Sequence, residues 1–107
     1  MTKRQFLSAL AKFAAKSGDW QMLSTYLIRY PIFNLTEYDF FCPITAVCSY
    51  LGKGAFPSYD YDLAAERIGL DMSLAKDIVE ASDRPRINLD RKGKMLRTEI
   101  LKAVGIR

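Results

Sequence analysis

Histidine is absent from this 107-residue chain, and cysteine occurs only twice. Two cysteines without histidine argue against a tetrahedral zinc site within one chain, and the usual base for a serine or cysteine nucleophile is missing. We therefore expect no metal site, no cofactor and no enzymatic activity.

Long apolar runs are also missing. No stretch approaches the roughly 18 apolar residues that a membrane-spanning helix needs, and the N-terminus lacks the uninterrupted apolar segment of a signal peptide. We therefore expect a cytoplasmic protein without membrane contact. Hydrophobic residues make up 50% of the sequence, which is enough for residues 1–107 to fold as a single domain around one core.

The stretch from Phe40 to Gly54 is apolar on nearly every face, and it predicts a central buried helix over residues 43–51. Pro43 suits the first helical position, and Gly52 with Gly54 suits a left-handed stop just beyond the end. The predicted fold is all-α, a compact domain of five or six short helices around this central one.

Further helices are indicated by capping residues and by apolar residues at helical spacing. Thr2 with Gln5 predicts the start of a first helix that stops at Ser17-Gly18. The remaining predicted helices run from Asp19 to Pro31, from Asp60 or Asp62 to Ile68, from Ser73 to near Asp83, and from Asp90 to Gly105. Residues 32–41 and 84–90 are predicted to be connectors, and Gly93 should weaken the last helix by about 1 kcal/mol relative to alanine.

The helix pair at residues 62–83 has the spacing of a helix-turn-helix, carried by Ala65, Gly69, Ala75 and Ile78. Its second helix, however, offers phosphates one lysine, Lys76, against three acids, Asp77, Glu80 and Asp83. Such a surface would repel DNA. A nucleic-acid-binding regulator therefore stays the alternative function.

Basic residues concentrate near the C-terminus, where residues 84–107 hold eight basic and two acidic side chains. The candidates for nucleic-acid contact are Arg84, Arg86, Arg91, Lys92, Lys94 and Arg97. No aromatic residue interleaves with them, so the run is interpreted either as a solvated helix face or as a nonspecific contact for nucleic acid.

Aromatic and acidic residues alternate on both sides of the central helix. Rings flanked by carboxylates suit docking on a basic protein surface, because the rings supply contact area and the acids steer the encounter. The candidate partner-binding residues are Tyr38, Asp39, Tyr59, Asp60, Tyr61 and Asp62. The alternative is core aromatics with solvated acids, although so small a core cannot bury every ring.

Cys42 occupies the predicted N-cap of the central helix, where the helix dipole would lower the pKa of its thiol. Burial among apolar neighbours would raise that pKa instead. We predict that Cys42 is a structural residue that caps the helix. A disulfide with Cys48 is not expected, because the two would lie about 9 Å apart along the axis.

Four segments carry a resemblance: Cys42-Pro43-Ile44-Thr45-Ala46-Val47, Asp62 to Leu70 ending in Ile68-Gly69-Leu70, Ile78 to Asp83, and Leu96 with Leu101 to Ile106. Together they resemble a family of small tailed-phage and prophage proteins without an assigned activity. The resemblance covers roughly residues 40–107. It implies a phage-encoded accessory protein in the host cytoplasm, where small helical proteins often inhibit host enzymes or defence complexes. The expected function is therefore a non-enzymatic protein-binding module that modulates a host protein with a basic surface.

Overall fold

The computed structural model describes residues 1–16 and 42–104, which form α-helices without any β-strand in those ranges. The five described helices are α1 (Lys3–Lys16), α2 (Pro43–Tyr50), α3 (Tyr61–Arg67), α4 (Met72–Asp83) and α5 (Arg91–Ala103). Short 3-10 turns at Ser58–Asp60 and Arg86–Asn88 come before α3 and α5. The all-α prediction is confirmed, whereas the helix predicted from Asp19 to Pro31 lies outside the described residues.

Helix α2 is the centre of the fold. It contacts α1, α3 and α4, and every residue from Pro43 to Cys48 is buried. The residues predicted to start and stop this helix have these roles. Pro43 occupies the first turn, and Gly52 adopts a left-handed φ of 70° just after the helix. A side chain would be strained at that φ, so glycine permits the chain to turn away here.

Helix α1 begins with the predicted capping box. The Thr2 backbone N–H donates to Gln5 Oε1 at 2.8 Å, and the Gln5 N–H donates to Thr2 Oγ1 at 3.1 Å. Phe6 and Leu10 are fully buried one turn apart, and they pack α1 onto the central helix. The sequence pattern is therefore sufficient to place both the start and the buried face of α1.

The predicted helix pair at residues 62–83 is present as α3 and α4. Ala65, Ala75 and Ile78 are fully buried, and Gly69 has a φ of 70° in the turn between the helices. The predicted start of α4 needs correction. Helix α4 begins at Met72 rather than Ser73, because the Asp71 carboxylate accepts the Leu74 N–H at 3.2 Å.

Helix α3 begins directly after Asp60, which is one of its two predicted starts. Asp60 occupies the N-cap position, but its side chain makes no capping hydrogen bond. Asp62 lies within the first turn instead of before it. The preceding 3-10 turn at Ser58–Asp60 leads the chain directly into α3. The aspartates therefore mark the start of α3 correctly, although the Asp60 side chain does not cap the helix.

Helix α5 packs against α4 and α1 and carries the predicted apolar stripe, with Leu96, Ile100 and Val104 buried. The Asp90 cap is confirmed, because Asp90 Oδ1 accepts the Gly93 N–H at 2.7 Å. The segment before α5 departs from the predicted polar connector. It contains a 3-10 turn, and Leu89 is only 8% exposed.

Candidate partner-binding surfaces

One exposed face of α3 combines apolar and acidic side chains. Tyr59, in the turn before the helix, is 73% exposed, and Leu63 is 44% exposed. Asp62 and Glu66 are exposed beside them. Asp62 and Leu63 each lie within one turn of Glu66 on α3, so the three share one side of the helix. Tyr59 precedes them in the 3-10 turn that leads into α3. We call Tyr59, Asp62, Leu63 and Glu66 the acidic stripe.

The other predicted partner-binding residues are placed differently. Tyr61 is half-buried and packs against the hydrophobic core. Asp60 is also only half-exposed. Tyr38 and Asp39 lie outside the described residues. The structure therefore brings Tyr59 and Asp62 together on the surface, while much of the Tyr61 ring belongs to the core.

The sequence analysis did not identify Leu63 and Glu66, because it considered only the stretch in which acidic and aromatic residues alternate. The signal that could have identified them is the helical spacing from Tyr59 and Asp62, since both positions follow at intervals of three and four residues.

Arg67 bounds the acidic stripe at the end of α3. Its guanidinium carbon lies 5.6 Å from the centre of the Phe56 ring, within the range of a cation–π contact. Phe56 in turn lies close to Gly54, where an added Cβ would come within 3.1 Å of the ring. The loop between α2 and α3 therefore packs Phe56 against a cation.

Two predicted nucleic-acid contacts are paired with acids of α4. Arg84 Nη2 lies 3.4 Å from Glu80 Oε1, and Lys92 Nζ lies 3.9 Å from Asp77 Oδ2. Both pairs are solvent-exposed, so each contributes about 0–1 kcal/mol to stability. Their larger effect is to place negative charge beside the cations, which reduces the attraction of this face for phosphate.

Arg97 contradicts the prediction of a surface cation. Arg97 is only 5% exposed. Its Nη1 donates to the backbone carbonyls of Arg84 at 2.9 Å and Ala81 at 3.4 Å. These carbonyls lie at the C-terminal end of α4, where the helix dipole favours a cation. Arg97 therefore joins α5 to the end of α4 and does not present its charge to a ligand.

The remaining predicted cations lie beside exposed apolar residues. Arg86, Arg91 and Lys94 line a shallow depression together with Met95 and Thr98. Met95 is 59% exposed, and Ile87, next to Arg86 in the turn, is 88% exposed. We call Arg86, Ile87, Arg91, Lys94 and Met95 the basic patch. The sequence reasoning identified its charges but not its apolar members.

Both thiols are free and buried, as predicted. Burial raises the pKa of Cys42, and the nearby backbone N–H groups of Thr45 and Ile44 only partly oppose this shift. Burial likewise raises the pKa of Cys48, with Arg67 acting in the opposite direction. One correction is needed, because the Cys42 side chain makes no capping hydrogen bond. Its backbone carbonyl instead accepts the Thr45 hydroxyl at 3.0 Å.

Residues 1–16 and 42–104 contain no group of three or more cysteine, aspartate or glutamate residues that could hold a metal ion. Their helices also lack the length and apolar character needed to cross a bilayer.

Comparison with protein families, curated proteins and solved structures gives no match to this chain.

Proposed function

We propose that this protein is a non-catalytic binding module that docks the acidic stripe onto a basic surface of a protein partner. The observation that carries the proposal is the exposure of Tyr59, at 73%, together with exposed Leu63 and the exposed carboxylates of Asp62 and Glu66. Exposed tyrosine is a frequent anchor of interfaces, because its large ring loses little conformational entropy on binding.

The two kinds of side chain in the acidic stripe have different roles. Tyr59 and Leu63 supply apolar area that a partner can cover, and such an anchor can contribute about 2 kcal/mol or more at a hot spot. Asp62 and Glu66 provide negative potential that accelerates encounter with a basic surface. The anchors should therefore govern dissociation, and the acids should govern association and its dependence on salt.

The biological setting of the proposal comes from the sequence resemblance. A phage-encoded accessory protein would act in the cytoplasm of the infected host, where the partner would be a host protein or complex with an exposed basic surface. Binding there would modulate or inhibit that complex, as an anti-defence protein does. This role requires no cofactor and no catalytic residue.

The alternative is a nucleic-acid-binding regulator that uses the α3–α4 pair. It is supported by the turn at Gly69 and by the close packing through Ala65 and Ala75. The outer surface of α4 weighs against it, because Lys76 is accompanied there by Asp77 and Glu80.

The test is affinity capture from host lysate, followed by binding kinetics with each captured protein. Tyr59→Ala should accelerate dissociation, whereas Asp62→Asn with Glu66→Gln should slow association and flatten its salt dependence. Lys12→Gln, on the exposed surface of α1, is the matched control. Unchanged affinity of all stripe variants, together with loss of binding on charge reversal at Arg91, Lys92 and Lys94, would refute the proposal.

A further inference from the structure

The acidic stripe and the basic patch have complementary chemistry within the same chain. The stripe combines exposed Tyr59 and Leu63 with exposed carboxylates. The patch places Met95 in a depression lined by cations, and the exposed Ile87 is next to Arg86 in the preceding turn. Each surface thus offers apolar contact area together with charge of one sign. A partner for either surface needs the composition that the other surface already has.

The charges of the two surfaces are not paired with each other inside one molecule. Within residues 1–16 and 42–104, ion pairs join Lys3 to Glu99, Arg84 to Glu80, and Lys92 to Asp77. None of these pairs uses a carboxylate of the acidic stripe or a cation of the basic patch. The stripe lies on α3 and the patch on and before α5, and both helices pack against α4. Among the residues that the structure describes, the two surfaces therefore do not neutralise each other.

We propose that the basic patch of one copy of this chain docks on the acidic stripe of a second copy. Ile87 and Met95 would then cover Tyr59 and Leu63, while the cations of the patch approach Asp62 and Glu66. This inference rests on the proposed function only in treating the acidic stripe as a docking surface, and it requires no other protein.

A second copy fits the basic patch better than nucleic acid does. Ile87, at 88% exposure, has no role in contacting phosphates, and the patch has no aromatic ring on which a base could stack. Exposed apolar residues beside cations instead suit a surface that is apolar and acidic. The acidic stripe is such a surface, and it is present at the same concentration as the patch.

The contact has a direction, because different surfaces of the two copies meet. Each dimer keeps one free stripe and one free patch, so association continues into short chains unless the geometry closes a ring. Few residues take part on each side, so the contact belongs to the small, transient class of interfaces. Its charges are solvent-exposed, and salt should weaken it. A basic partner would compete with self-association for the same stripe.

Analytical ultracentrifugation of the purified full chain tests this inference. The weight-average mass should rise with protein concentration at low salt, and it should return toward the monomer at about 0.5 M salt, where the Debye length is only a few Å. A monomer at every concentration would overturn the proposal. If that monomer bound a single-stranded oligonucleotide through Arg91 and Lys94, the patch would instead be a nucleic-acid surface.

Two neutral triple variants make the test specific. The stripe variant is Asp62→Asn, Leu63→Ala and Glu66→Gln, and the patch variant is Ile87→Ser, Arg91→Gln and Lys94→Gln. Each should be monomeric alone, while an equimolar mixture should form dimers that grow no further. Self-association by either variant at the wild-type level would contradict the proposal, and Lys12→Gln serves as a control that should associate like the wild type.

The same variants separate this inference from the proposed function. Loss of self-association in the patch variant, with capture of the host partner retained, is the expected pattern. Capture by the wild type without any self-association would overturn only the present inference. Self-association through both surfaces without stripe-dependent capture would overturn only the proposed function.

Discussion

The Arg97 guanidinium donates to the backbone carbonyl of Arg84 at 2.9 Å, just beyond the end of α4. The same nitrogen also reaches the carbonyl of Ala81. Burial lowers the pKa of Arg97, and the neighbouring charge of Arg86 acts in the same direction. The carbonyls at the negative end of the α4 dipole therefore stabilise the charged form of this buried side chain. It connects α4 with α5 across the most basic part of the sequence.

Replacing Arg97 with methionine should reduce the free energy of unfolding by about 2 kcal/mol, because buried carbonyls lose a charged donor while the apolar stem is largely kept. Arg91→Met, at an exposed position of α5, is the matched control and should change stability by less than about 0.5 kcal/mol. Urea denaturation measures both. Equal effects of the two substitutions would show that Arg97 does not hold α4 to α5.

Gly93→Ala should fail to give the gain of about 1 kcal/mol that helix propensity predicts. An added Cβ would lie 3.2 Å from Asp90 Oδ1 and 3.2 Å from Leu89 Cδ2, closer than ordinary van der Waals contact. Asp90 is held as the helix cap and Leu89 is buried, so neither can move away freely.

A double-mutant cycle with Asp90→Ala isolates that contact. Gly93→Ala should be more favourable when the Asp90 carboxylate has been removed, because the added Cβ then meets only one of its two close neighbours, Leu89. Urea denaturation of the four proteins gives the coupling free energy. A gain of about 1 kcal/mol from Gly93→Ala in the wild-type background would contradict the steric explanation.

Features set by local spacing could be predicted from the sequence. Thr2 with Gln5, Pro43, Gly52 and Asp90 act within one helical turn of their own positions, and the structure confirms each of them. The start of α4 was misplaced because Ser73 and Asp71 are both good capping residues, and sequence alone does not select between them.

Features set by tertiary packing could not be predicted in this way. The burial of Arg97 depends on the position of the α4 carbonyls, which lie 13 and 16 residues away in the chain. The difference in exposure between Tyr59 and Tyr61 depends on the rotation of α3 against the core. In the candidate site, the charges were therefore identified from composition, but the apolar residues Leu63, Ile87 and Met95 were not.

Stability should fall as the pH rises above the ordinary thiol pKa of 9.0, because burial raises the pKa of both cysteines in the folded state. The folded protein then holds thiol protons that the unfolded chain has released. This contribution is fully present below pH 9.0 and is lost as the pH rises through the folded pKa values. Cys42→Ala should flatten the decline between neutral pH and about pH 10.

Urea denaturation across that pH range measures the slope, and Ser49→Ala is a control that should preserve it, since Ser49 is exposed on the same helix. Alkylation at neutral pH provides a second measurement, in which the native protein should react more slowly than the urea-unfolded chain. Rapid and selective labelling of Cys42 would contradict a structural role.

Tyr61→Ala and Tyr59→Ala should differ in their effect on folding. Tyr61 packs against the core, and removing its ring should reduce the free energy of unfolding by about 1–2 kcal/mol. Tyr59 is 73% exposed, so its removal should cost less than about 0.5 kcal/mol. Tyr61→Phe keeps the ring and should preserve stability. Thermal or urea unfolding that ranks Tyr59→Ala as the more damaging change would contradict the placement of these rings.

Specific binding to duplex DNA is not expected, because the exposed part of α4 sets Lys76 beside Asp77 and Glu80. Weak binding through the basic patch would depend steeply on salt. Arg91→Gln should then reduce the slope of log K against log salt by about 0.9, the value for one lost phosphate contact. Arg97→Met should preserve the wild-type slope, because its guanidinium is bound to backbone carbonyls. Electrophoretic shifts over a range of salt concentrations measure both, and a sequence-specific complex of nanomolar affinity at physiological salt would overturn the expectation.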